Sequence, residues 1–130
     1  MSKISYSAVV LDERSRERLL RKFQDMIPDG WEVIAHHMTI NMGEINPELE
    51  RYLGMPVHLE VIDFAQDDKV MAVGVTGFES ANKKPHITLA VDRQAGGKPF
   101  MSNNLTRWDP IKRPLRLVGK VMEVPYNIGE

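Results

Sequence analysis

The chain has 130 residues and no cysteine, so a disulfide framework and thiolate chemistry are both excluded. The lack of disulfides makes a cytoplasmic location the expected one. No hydrophobic run approaches the length of a membrane span. The start, Met1-Ser2-Lys3-Ile4-Ser5-Tyr6, moves straight into alternation without the apolar core of a signal segment. Neither sign of charge dominates, since 17 Lys and Arg stand against 18 Asp and Glu. That charge is too modest to argue for binding to long duplexes. Aromatics make up only 7% of the chain. Tyr6, Trp31, Phe100 and Trp108 are candidates to stack on a base, although aromatics in a small domain more often serve the core. The remainder, 42% hydrophobic and 27% charged, is ordinary for one globular domain over residues 1–130 with a core of its own.

The even balance conceals an asymmetry. Between Glu44 and Asp68 lie seven acidic residues and one basic, Arg51. Between Asp92 and Lys120 lie seven basic residues and two acidic, Asp92 and Asp109. A basic segment of this kind favours an anionic ligand, unless it is simply a solvated face.

Alternation and turn residues divide the chain into short elements. Ser5 to Leu11 reads as a strand, and Asp12 can cap a helix from Glu13 to about Met26. Pro28-Asp29-Gly30 ends that helix as a turn. A strand beginning at Ala35 or His36 runs towards Met42, and Glu48 to Leu53 suits a single helical turn. Val57 to Ala65 and Val70 to Phe78 read as a strand pair joined by Gln66-Asp67-Asp68-Lys69. His86 to Val91 is a further strand, followed by a Gly-rich loop and an irregular stretch through Pro110. Leu115 to Val124 reads as a last strand, paired with the Val57 or the Val70 strand, and the tail from Pro125 as loose. Strands outnumber helices without regular interleaving, which predicts an α+β fold built on antiparallel sheet.

The chemistry concentrates in a repeated tripeptide. His37-Met38-Thr39 and His86-Ile87-Thr88 are each followed by an apolar residue, Ile40 and Leu89. In a strand, residues two apart share a face, so each tripeptide offers an imidazole and a hydroxyl on one side and apolar groups on the other. Two such pairs facing each other suit a phosphodiester. One imidazole takes a proton from water, the other gives one to the leaving oxygen, and the hydroxyls bind phosphoryl oxygens. A single His-x-Thr has a bland explanation, because Thr is β-branched and common in strands. Two matched copies are harder to dismiss.

Other groups are weaker candidates. Alternation sends His36 to the face opposite His37, as a structural residue, and His58 at a strand start reads as a surface residue. No His-x-x-His or carboxylate cluster at ligand spacing supports a metal site. In the loop Gly96-Gly97-Lys98-Pro99-Phe100-Met101-Ser102-Asn103-Asn104, Lys98, Ser102 and Asn103 can donate to phosphate or sugar oxygens. The loop lacks the P-loop spacing, and an ordinary surface turn is an equally good account of it.

Ala35-His36-His37-Met38-Thr39-Ile40 and Pro85-His86-Ile87-Thr88-Leu89-Ala90-Val91 together resemble the two strands of the two-histidine phosphoesterase superfamily. The second segment looks most like the cyclic phosphodiesterase domain of plant and fungal tRNA ligases. About fifty residues separate the motifs, a shorter interval than is usual there, which implies a trimmed middle. The resemblance implies two lobes of antiparallel strands related by a pseudo-twofold, with the motif strands lining a central groove. It implies hydrolysis of a 2′,3′-cyclic phosphate of RNA ends or nucleotides to a 2′-phosphate, without a metal or organic cofactor. His37 and His86 would share the acid and base roles, and Thr39 and Thr88 would hold phosphoryl oxygens. The expected protein is a monomer that meets RNA ends, with RNA ligase or kinase components as candidate partners. Rival readings keep the site but change the substrate to a cyclic oligonucleotide or an ADP-ribose cyclic phosphate. Another rival makes the chain a non-catalytic RNA- or nucleotide-binding module.

Overall fold

A computed structural model that describes residues 3–126 holds seven strands and one α-helix, the helix and six of the strands lying where the sequence predicts them and the strand Glu32–Val33 being additional. They are β1 (Ile4–Leu11), α1 (Glu13–Phe23), β2 (Glu32–Val33), β3 (His37–Met42), β4 (Pro56–Gln66), β5 (Val70–Thr76), β6 (His86–Val91) and β7 (Asp109–Pro125). Short 3-10 segments over Gln24–Met26, Pro47–Tyr52, Arg93–Ala95 and Pro99–Asn104 fill the connections. The strand order is β2-β6-β3-β1-β7-β4-β5, and β5 pairs back onto β6. The sheet therefore closes on itself, barrel-like, with every pairing antiparallel. The pairing of β5 with β6 covers strand edges that would otherwise invite association.

The α-helix starts where a cap is available. Asp12 has extended geometry and accepts the Ser15 backbone N–H at 2.7 Å. Glu13 in the first turn and Arg21 and Lys22 in the last complement the helix dipole. Ser15 then accepts the Val118 N–H at 2.8 Å, which ties the helix to β7. Leu19 and Phe23 join a cluster with Val9, Met38, Ile40, Leu59, Val61, Val73, Ile87, Leu89, Leu117 and Val121. Burying this set is the main favourable contribution to the fold.

The last strand is longer than alternation alone predicts. It runs back to Asp109 through Pro110 and Pro114, and pairs with β1 as well as with β4. A register break in β4 between Val61 and Asp63 lies opposite the proline-containing stretch. A bulge of this kind lets residues without an N–H sit in a ladder. At its end Pro125 belongs to β7 and the Tyr126 N–H donates to the Lys3 carbonyl at 3.1 Å. The rest of the tail expected to be loose, 127–130, lies outside the described residues.

Candidate active site

The two tripeptides meet on neighbouring strands. Met38 of β3 pairs with Ile87 of β6, and both are fully buried. Antiparallel pairing centred on these middle residues sets His37 across from Thr88 and Thr39 across from His86. All four side chains line one cavity of about 470 Å³, shared with Tyr6, His36, Arg93, Phe100 and Asn103.

His86 is 7% exposed and tightly held. Its Nδ1 lies 2.6 Å from the Lys84 carbonyl, which can only accept, so Nδ1 carries a proton. Its Nε2 lies 2.9 Å from Ser102 Oγ. Ser102, 1% exposed, is also 2.8 Å from Thr88 Oγ1 and 2.7 Å from the Pro99 carbonyl. The hydroxyl expected to bind substrate therefore bridges the second motif's own His and Thr. Outside this layer Lys84 pairs with Asp63 at 2.6 Å and sits 5.0 Å over the Trp108 ring, whose centroid is 6.2 Å from that of His86. Gly74 makes room for this pair, because a Cβ there would stand 1.9 Å from Asp63 Oδ1.

His37 is held by other means. Tyr6 stacks on its ring with centroids 4.6 Å apart. Burial first, then the like charges of His36 and His86, pushes its pKa down from 6.5 to about 4. His36 is not on the opposite face as alternation required. Its Nδ1 lies 2.9 Å from the Nδ1 of His37, and it lines the same cavity. The cause is the preceding residue. The Ile34 and Ala35 N–H groups bond to the Leu89 and Thr88 carbonyls of β6, and Ala35 then takes a left-handed φ of 45°. That turn, strained for a residue with a Cβ, resets the alternation before β3 begins.

The loop residues divide. Asn103 lines the cavity, whereas Lys98 stands exposed just outside its lining. The cation that does line it is Arg93, which also pairs with Glu32. Sequence reading counted Arg93 only as part of the basic segment. Phe100 is 62% exposed at the rim, whereas Trp31 packs against the core. His58, exposed on β4, lines a separate cavity with Tyr52 and Phe78. Among the described residues no group of three or more His, Cys, Asp or Glu side chains is placed to hold a metal ion.

A closed antiparallel sheet thus carries both His-x-Thr strands to one cavity. The sequence model of the fungal tRNA ligase phosphodiesterase domain matches residues 11–115, which includes both motif strands, and the chain belongs to that family. This makes it a phosphodiesterase domain, of the hydrolase class and linked to RNA processing. A search of curated proteins found no match.

Proposed function

We propose that this domain is a two-histidine cyclic phosphodiesterase that opens the 2′,3′-cyclic phosphate of an RNA end or nucleotide to a 2′-phosphate. The observation that carries this reading is the pairing of Met38 with Ile87, since it turns two imidazoles and two hydroxyls onto one cavity. A pseudo-twofold relating the two motif strands is part of the same reading, and the centred register supports it.

In this reaction one imidazole takes a proton from water as the water oxygen bonds to phosphorus. The other gives a proton to the 3′ ester oxygen as the phosphorus–oxygen bond breaks. Thr39 and Thr88 donate to the non-bridging oxygens, where negative charge grows. Thr88 leaves its contact with Ser102 to do so. Arg93 and Asn103 hold the phosphate or the sugar from the rim, and Lys98 adds a positive field beside it. The acid and base roles are assigned within the pair, and neither requires a metal or organic cofactor. The domain works as a monomer on RNA ends, in the company of ligase or kinase components, in the cytoplasm.

Incubating the pure protein with a panel of cyclic phosphates tests this. The panel comprises RNA 2′,3′-cyclic ends, nucleoside 2′,3′-cyclic phosphates, cyclic oligonucleotides and an ADP-ribose cyclic phosphate, with products resolved by chromatography. A 2′-phosphate formed in the presence of a strong chelator is expected. A product made only with added zinc or manganese would overturn the mechanism. A 3′-phosphate would keep the two imidazoles and reverse the orientation of the substrate.

A further inference from the structure

We propose that His36 is a positioning residue for this reaction, fixing the tautomer of His37 through the hydrogen bond between their Nδ1 atoms. The inference rests on the proposed function for its catalytic meaning, but its geometry stands independently. Two imidazole nitrogens 2.9 Å apart share one proton, because one must donate and the other accept. If both rings are neutral, only one of them keeps a free Nε2. His37 can accept a proton from water at Nε2 only when its own Nδ1–H donates to His36. His36 must then be the acceptor, with its proton on the far nitrogen.

The surroundings leave His36 able to play that part. From α1, Arg16 donates to the Ile34 carbonyl at 3.3 Å, beside His36. Burial and the charge of Arg16 both lower the pKa of His36, which keeps it neutral and able to accept. Tyr6 from β1 stacks on His37, while His86 from β6 and Arg93 from the following turn face the same cavity. None of the three supplies His37 with a carboxylate partner.

The two motif imidazoles are thus secured differently. His86 is fixed by a main-chain carbonyl, which can only accept, so in its neutral form Nε2 always lacks a proton. His37 is fixed by a group that can either donate or accept, so its tautomer follows the state of His36. Protonating His36 obliges it to donate, and leaves a neutral His37 with its proton on Nε2.

Nitrogen-15 NMR of the histidine rings in the full chain reads this directly, without substrate. At pH 7 His37 is expected to carry its proton on Nδ1. His36→Ala should move it to Nε2, and His36→Asp should restore it, because a carboxylate can only accept. Beside this, the pH profile of kcat/KM on a nucleoside 2′,3′-cyclic phosphate separates positioning from folding. His36→Ala should lower activity by about tenfold to a hundredfold, the scale for an imidazole that loses its orienting partner. It should also move the acidic limb upward, and His36→Asp should recover much of the rate. A His37 proton on Nε2 in the wild type overturns the proposal. So does a His36→Ala variant with unchanged ring shifts and a rate reduced equally at every pH. Absence of turnover by the wild type on every cyclic phosphate would refute the proposed function, and the ring shifts would still decide the role of His36.

Discussion

Met38 and Ile87, the middle residues of the two tripeptides, are antiparallel partners that join β3 to β6. A pairing shifted by one residue would turn one motif's His and Thr into the core and its apolar residues into the cavity. Both middle residues are fully buried, so the apolar core fixes the register, and through it the position of the polar side chains on the other face.

His37→Ala and His86→Ala should each lower turnover about a hundredfold or more, the scale of general acid–base groups. Both variants should keep wild-type circular dichroism. His58→Ala, in the separate cavity, should retain full activity. Steady-state rates on the best substrate of the panel check this, and full activity in His37→Ala would remove that residue from the mechanism.

Two ordinary histidines would give a bell-shaped kcat/KM with a maximum at roughly pH 6–7.5. Burial of His37 and its like-charged neighbours change that expectation, since its pKa lies at about 4. The limb set by His37 should therefore fall near pH 4, and the profile should extend to the acid side. The limbs belong to the coupled pair, and the shape is the same whichever ring is the base. A flat profile between pH 5 and 9, with chemistry rate-limiting, would remove the acid–base pair.

The same shift ties stability to pH. Between pH 6.5 and about 4 an unfolded His37 binds a proton that the folded one refuses. Stability should thus be highest above 6.5, fall as pH is lowered through this window, and lose nothing further to this group below it. The whole gap is worth about 3 kcal/mol. Urea unfolding of the wild type and of His37→Gln at pH 7.5 and pH 4.5 checks it, with the smaller loss expected in the variant.

Arg93→Ala should weaken substrate binding more than Lys98→Ala, because Arg93 lines the cavity and Lys98 stands outside it. Added salt should weaken RNA ends more than mononucleotides, since only RNA presents further phosphates to the basic segment. Values of KM across a salt series separate the two effects. Equal salt sensitivity for both substrates would argue against an extended RNA track.

Gly74→Ala should destabilise the fold by about 1–3 kcal/mol, the range for overpacking a filled site. Its Cβ would meet Asp63 Oδ1 at 1.9 Å and Lys84 Cε at 2.8 Å. The ion pair between Lys84 and Asp63 would have to move. Thermal unfolding measures the loss. A variant of wild-type stability would show that the pair is free to shift.

Local pattern sufficed for much of this protein. Alternation marked most of the strands, Asp12 announced the helix start, and the doubled His-x-Thr marked four residues that share one cavity. These features follow from backbone periodicity and from side-chain chemistry within a few residues, which a sequence records directly. Tertiary structure decided what depended on distant neighbours. Ser102 bridges His86 and Thr88 because the 3-10 turn at 99–104 folds back beneath β6, and no local spacing encodes that contact. Closure of the sheet through β5 and β6 likewise arises from pairings between remote segments. His36 was misjudged because alternation assumes an unbroken strand. The left-handed turn at Ala35 is imposed by hydrogen bonds to β6, on a residue type that does not choose that conformation by itself.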